Sequence, residues 1–437
     1  MKDIPINYEI VKSVIDNSGL ECVGKASIRE IRGLVNKIEE ASGEKFIRME
    51  MGIPGLKPPR IAIEAEKRAL DNDCPAQYPP LDGLPELKTE ISKFIKNFLD
   101  VEINPLNCIP TVGSINGGYV TFMVAGRMNP VKDTILFIDP GFPVHTQLVK
   151  MIGLKKASFD VYNYRGKKLR AKLESYLEKG NISTILYSNP NNPSWICFNE
   201  EELKIIGELA NKYEVVVAED LAYFGMDFRK DLSQPGQAPF QASVAKYTDY
   251  YVLMISTSKS FSYAGQRVGL LAISDKLFNA NFDGLLKYYP KHNFGHSFVY
   301  GTVYSTTAGT AHSAQYGIAA LLKAVNNGEY NFLDKVKEYG KRAKVMKKIF
   351  LDNGFYIVYD KDIDVPIGDG FYFTIAYPGY SGEELIEKLF YYGISAISLS
   401  VTGSERTEGL RACVSLVDLD SFPILERRLQ AFKENNP

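Results

Sequence analysis

The run "STSKSFSYAGQRVG" at residues 256–269 follows the apolar run "YYVLMI" at 250–255. Five of the seven positions from Ser256 to Ser262 are Ser or Thr, Lys259 lies among them, and Arg267 follows eight residues after the lysine. A lysine amine at the exit of a buried strand is a candidate nucleophile, because a neutral amine condenses with a carbonyl to form an imine. Hydroxyls and an arginine beside it suit a phosphate. Alone, a lysine among Ser and Thr is ordinarily a solvated surface residue, so the other strand ends must decide.

Four further apolar runs end in polar residues. "CIPTV" (108–112) leads into "GSINGG" (113–118), and "TILFID" (134–139) into "PGFPVH" (140–145). "ISTILYS" (182–188) leads into "NPNNPSW" (189–195), and "YEVVVAED" (213–220) ends on Asp220 with Tyr223 three residues on. Each has a plain structural reading: a connection, a turn, a helix cap, a core aromatic. Taken together they form the parts list for pyridoxal 5′-phosphate bound as an imine of lysine. Lys259 is the amine, and Asp220 is the carboxylate that keeps the pyridine nitrogen protonated. Asn192 and Tyr223 are donors to the phenolic oxygen, and Phe142 offers a face for the ring. The turn of Gly113, Ser114 and Ile115, with Ser256, Ser258 and Arg267, is a phosphate cradle at a helix start.

The elements that must hold these residues follow from periodicity. Short, nearly continuous apolar runs, including "VGLLAIS" (268–274), alternate with helical segments such as "NEEELKIIGELANKY" (199–213). That pattern predicts an α/β fold with a largely parallel sheet covered on both faces, and ligands at its carboxyl edge. Residues 27–41 are spaced as a helix, which "MGIPGLKPPR" (51–60) breaks. The last third predicts one long helix over 331–354, stopped by Gly354, then strands at 371–377 and 410–416 around a helix at 382–393. This describes a smaller α+β unit.

Composition removes other classes. Lys plus Arg is 51 against 52 Asp plus Glu, so no basic excess points to nucleic acid or an acidic membrane. No run approaches the roughly 18–20 apolar residues of a membrane span, and the N-terminus lacks the apolar core of a signal peptide. The five cysteines are scattered, with no C-x-x-C pair, which argues against a zinc site or a disulfide framework and for reduced thiols in the cytoplasm. No G-x-G-x-x-G opens a helix after the first strand, as a dinucleotide enzyme would need.

Over roughly residues 27–430 the chain resembles the class I/II aminotransferases of pyridoxal-phosphate fold type I, the aspartate aminotransferase-like family. "STSKSFSYAGQRVG" matches the family's S-x-S-K-x-x-x-x-x-G-x-R-x-G pattern, and "DLAY" (220–223) its D-x-x-Y. "NPNNPSW" matches most of its N-P-x-N-P-T-G block, and "QYPPLDGLPELKTEI" (77–91) its Y-x-x-x-x-G-x-x-x-L block. The resemblance implies a large domain (52–325) with a mostly parallel seven-stranded sheet between helices, and a small α+β domain from both termini (1–51 and 326–437). It implies an aminotransferase moving an amino group between an α-amino acid and a 2-oxo acid through a Lys259 aldimine, with Lys259 also the proton shuttle. His145 would stand behind Asp220. Arg411 in "LRACVSL", Gly52 in "MGIPG" and Asn192 would hold the substrate carboxylate. Tyr78 would reach the phosphate of a partner subunit in a homodimer with shared sites. A lyase or synthase on the same scaffold, such as a carbon–sulfur β-lyase or an aminocyclopropane-carboxylate synthase-like enzyme, is the alternative. Ser194 and Trp195 stand where the family pattern has Thr and Gly. With Phe142, and with Phe298 and Tyr300 in "YYPKHNFGHSFVYGT" (288–302), Trp195 suggests a neutral aromatic side-chain pocket rather than a dicarboxylate one; for a side-chain carboxylate, with no second arginine in place, Lys291 is the best candidate cation.

Overall fold

The computed structural model describes residues 4–436. Its central sheet has seven strands: β1 (Cys108–Val112), β2 (Thr134–Asp139), β3 (Lys155–Asp160), β4 (Ile182–Ser188), β5 (Val216–Leu221), β6 (Tyr251–Ser256) and β7 (Val268–Ile273). They lie in the order β1-β7-β6-β5-β4-β2-β3, and only β7 runs against its neighbours. Every residue of β2, β4, β5, β6 and β7 is buried, because helices cover both faces. Each fully buried Val, Leu or Ile in them contributes about 1.5–3 kcal/mol of burial.

Two expectations from periodicity need correction. β3 ("KKASFD") is absent from the predicted apolar runs because it is an edge strand, with Lys155 exposed and only Phe159 and Asp160 buried. Edge strands carry charge that discourages pairing with other chains. The long C-terminal helix spans Lys337–Asp352 rather than starting at 331. The Asn331 side chain accepts from Leu333 N at 2.9 Å, a local bond that competes with helix formation. Phe332 and Leu333 turn into the core instead. Elsewhere side-chain caps set the ends: Ser27 with Glu30 opens Ile28–Ser42, and Asn199 with Glu202 opens Glu200–Tyr213.

The reversal of β7 organises the site. Because β7 is antiparallel, its first residues lie beside the last residues of β6 and β1. Ser256 pairs with Gly269, and Val112 with Val268. Arg267, just before β7, therefore arrives where two parallel strands end.

A second, antiparallel sheet comprises β8 (Tyr356–Ile357), β9 (Tyr372–Ala376), β10 (Ile397–Ser398) and β11 (Leu410–Cys413), in the order β10-β11-β9-β8. Ile47–Arg48 pairs in parallel with Ile394–Ser395, which ties the N-terminal segment to the last third of the chain. In β9 and β11, Thr374 faces Arg411 and Tyr372 faces Cys413. Tyr372 and Arg411 thus lie on one face as diagonal neighbours. No helix among the described residues is long and apolar enough to cross a membrane.

Candidate active site

After Ser256 the chain turns at once. The Thr257 hydroxyl donates to Val268 O and the Ser260 hydroxyl to Phe224 O, each at 2.7 Å, so two of the five hydroxyls staple the turn. Ser258 N donates to Ser256 Oγ at 3.2 Å. Held by this turn, Lys259 donates from Nζ to the carbonyl of Gly52, with the Phe371 ring centroid 5.6 Å away. No carboxylate among the described residues acts on the amine. Burial pushes it down to about 8; the Cys413 thiol opposes that shift, and the nearby Arg411 and Arg267 cations add to it.

Asp220, near the end of β5, is 8% exposed. Its Oδ1 accepts from Ala222 N at 3.1 Å, and its Oδ2 lies 3.6 Å from His145 Nε2. His145 sits on the helix Pro143–Met151, its ring edge-on to Phe142 at 5.7 Å and to Phe122 at 5.8 Å. Its Nδ1 is buried without a hydrogen-bond partner.

Gly113 opens the helix Gly113–Ala125, which has no side-chain cap, so the first backbone N–H groups are unclaimed by one. Gly113 has φ +74, and a Cβ there would stand 2.4 Å from Arg267 Nη2. Glycine is required twice over, by backbone sign and by the guanidinium above it. Arg267 donates to Ala264 O at 3.0 Å and has no acidic partner among the described residues. Gly113, Ser114, Ile115 and Arg267 thus bring the N–H groups of a helix start and a guanidinium together, a chemistry that suits an anion.

The loop after β4 divides its asparagines. Asn191 is scaffolding: its Nδ2 donates to Pro140 O at 2.8 Å, and its Oδ1 accepts from Ser194 Oγ at 2.6 Å. Asn192 accepts from Arg411 Nη1 at 3.3 Å. Arg411 is 1% exposed and also donates from Nη2 to the Glu50 carbonyl. Its Nε has no partner, and it forms no ion pair among the described residues. A buried guanidinium without a carboxylate is costly on its own and suits an anion from outside the chain.

Tyr372 is the residue that the sequence reading missed. Its hydroxyl accepts from Tyr223 Oη at 2.8 Å, and its ring lies 4.7 Å from Arg411 Cζ. A Cβ on Gly52 would stand 2.0 Å from its oxygen. Trp195, with φ +65, occupies a backbone conformation that favours glycine, the residue of the family pattern at this place. Its indole is fully buried against Gly370, edge-on to Tyr223 at 5.6 Å and Tyr372 at 6.3 Å.

Within one chain the residues of the 288–302 segment divide between core and surface. Phe298 is fully buried, stacked on Phe294 in a core cluster, and Tyr300 is 52% exposed. Trp195 faces protein rather than open space. Tyr78 is 93% exposed.

A seven-stranded α/β sheet with a lysine, a carboxylate and an anion cradle at its carboxyl edge defines a class of enzyme, and the comparisons agree. The family model for aminotransferase class I and II matches residues 44–421, and the chain belongs to that family. It is 28% identical to a probable aspartate aminotransferase of Methanocaldococcus jannaschii, over 77% of this chain and 82% of the relative. It is 26% identical to the LL-diaminopimelate aminotransferase of Natranaerobius thermophilus, over 74% and 76%. The fold matches the alanine aminotransferase from Pyrococcus furiosus with a TM-score of 0.74 and 20% identity, over 96% of this chain and 99% of that one. The protein is an aminotransferase. The lyase or synthase alternative is not favoured.

Proposed function

We propose that the protein binds pyridoxal 5′-phosphate at the carboxyl edge of the large sheet and transfers the amino group of an α-amino acid to a 2-oxo acid. The observation that carries this is Lys259, a buried amine without a carboxylate partner, pushed down to about 8. The site fits the cofactor in two further respects, the Gly113 cradle that a Cβ would fill and the Asp220–His145 pair, and the unpartnered Arg411 Nε suits the substrate carboxylate.

The bound cofactor supplies an aldehyde for a covalent link to an amine and a protonated ring that takes up the electron pair released at the substrate Cα. Lys259 holds it covalently and, once released, moves a proton at that carbon with a neutral Nζ. Asp220, steadied by His145 and by Ala222 N–H, keeps the ring nitrogen protonated. Phe142 lies against the ring. Gly113, Ser114, Ile115, Ser256, Ser258 and Arg267 hold the phosphate, and Asn192 and Tyr223 meet the phenolic oxygen. Arg411, with Asn192 and the Gly52 backbone, grips the substrate carboxylate. Relatives named for aspartate, LL-diaminopimelate and alanine support an α-amino acid donor.

The exposure of Tyr78 supports a homodimer in which it reaches the phosphate of a second copy. The pairing of Ile47–Arg48 with Ile394–Ser395 supports domains at 1–51 with 326–437, and at 52–325. Five free cysteines support a cytoplasmic setting. The test is borohydride reduction of the cofactor-loaded protein and mass spectrometry of its peptides. The adduct is expected on Lys259, and an adduct on another lysine overturns the assignment.

A further inference from the structure

We infer that Tyr372 is a positioning residue of this site, acting through its hydroxyl on Tyr223 and through its ring on Arg411. The inference rests on the proposed cofactor reading. The tyrosine is 2% exposed and lies on the same face of β9 and β11 as Arg411. Its place is fixed from several sides. The Tyr223 and Tyr372 hydroxyls are 2.8 Å apart, and the two rings meet edge-on at 5.3 Å. The Arg411 guanidinium lies over the ring at 4.7 Å. Gly52, whose carbonyl receives Lys259 Nζ, offers only hydrogen where a Cβ would strike the Tyr372 oxygen. Trp195 and Gly370 are size-matched behind it, since a Cβ on Gly370 would stand 1.9 Å from the indole. One side chain thus touches the proposed donor to the cofactor oxygen and the proposed clamp on the substrate carboxylate.

The chemistry of the hydroxyl pair gives a direction. A phenol carries a single hydrogen. As the pair stands, Tyr223 gives its hydrogen to Tyr372. To donate to the cofactor oxygen Tyr223 must take that hydrogen back, and Tyr372 can then donate in its place without moving a heavy atom. A phenol that accepts a hydrogen bond becomes a stronger donor. Tyr372 therefore strengthens the bond from Tyr223 to the cofactor's phenolic oxygen. That bond matters most when the neighbouring Lys259 nitrogen has lost its proton, because the oxygen's negative charge then has no adjacent cation. Losing the Tyr372 hydroxyl should make the Lys259 nitrogen keep its proton to higher pH.

The test uses the cofactor-loaded protein and two variants. In Tyr372→Phe the pH at which the visible absorbance band changes should rise by roughly half a unit to one unit. Affinity for a carboxylate that lacks an amino group should stay within about twofold, because the ring remains under Arg411. The probe is 3-phenylpropionate or succinate, whichever binds the wild-type protein more tightly. In Tyr372→Met, which also removes the ring, that affinity should fall about tenfold. An unchanged or lowered spectral transition in Tyr372→Phe overturns the hydroxyl role, and equal carboxylate affinity in both variants overturns the ring role. If Tyr372→Met fails to fold, Tyr372→Leu takes its place in the affinity measurement. A wild-type protein that shows no titrating band and no borohydride-fixed lysine refutes the cofactor reading itself, an outcome separate from both.

Discussion

Lys259 Nζ donates to the carbonyl of Gly52, a residue 207 positions earlier in the chain. The bond gives the amine a neutral acceptor rather than a carboxylate, so no ion pair offsets the cost of burying its charge, and the Cys413 thiol opposes it only in part. Burial brings the titration of the amine down toward neutral pH, and the fold bears the cost.

That cost is measurable in the cofactor-free protein. The amine's folded value of about 8 lies below the 10.5 of a free lysine, so folding disfavours its charged form. The penalty is constant below pH 8 and is relieved as pH rises from 8 to 10.5. At about 1.36 kcal/mol per unit it amounts to roughly 3 kcal/mol at neutral pH. Lys259→Met should therefore unfold at higher urea concentration than the cofactor-free wild type at pH 7, with the gap closing by pH 10.5. A variant no more stable than wild type at pH 7 would refute this.

The proposed phosphate cradle should fail selectively in Gly113→Ala. The added Cβ meets Arg267 Nη2 at 2.4 Å, and alanine resists a φ of +74. The backbone cost is about 1 kcal/mol. The displaced guanidinium should weaken pyridoxal 5′-phosphate binding about tenfold or more. Pyridoxal without its phosphate should bind both proteins alike. Equal losses for the two ligands would mean that the cradle does not hold phosphate.

The parts of the site that lie at strand exits were legible in the sequence. Lys259, Asp220, Asn192 and Gly113 each follow an apolar run, and a parallel sheet gathers such positions at one edge. Tyr372 was not legible, because "FYFTIAY" is apolar or aromatic almost throughout. Which of its side chains meets Arg411 depends on the pairing of Thr374 with Arg411, a long-range register. Trp195 suggests a pocket wall in sequence because its partner, Gly370, lies 175 residues later and looks like an ordinary turn glycine. β3 escaped because an edge strand keeps polar residues that break the pattern.

Next to Asp220 in the chain, Glu219 should make stability depend on pH. It is fully buried, and burial pushes it up to about 7 against donors at Ser243, Tyr187 and Val244 N. A raised carboxyl favours the fold when protonated. Its contribution is full below about 4.5 and is lost as pH rises to about 7, a change of roughly 3 kcal/mol. Glu219→Gln cannot ionise. The stability of the variant relative to wild type should therefore rise by that amount between pH 4.5 and 7, read from urea midpoints. A difference that stays flat across this range would mean that Glu219 does not change protonation there.

Arg411 carries the strongest claim about the substrate. It is buried, its Nε is unpartnered, and its two terminal nitrogens hold only neutral oxygens, those of Glu50 and Asn192. Such a guanidinium presents planar, parallel donors to an incoming carboxylate, which a lysine cannot reproduce. Arg411→Lys should keep the charge and lose that geometry. The expected loss is about 2–5 kcal/mol in transition-state binding, a fall in kcat/KM of some 30-fold to several thousandfold. Cofactor affinity should change little, because the phosphate rim and Lys259 are untouched. The panel of donors should include aspartate, diaminopimelate, alanine and aromatic amino acids, all of which share the α-carboxylate. A uniform drop across the panel fits a clamp on that shared group. A drop confined to aspartate would instead place Arg411 against a side-chain carboxylate, and the assignment would fall.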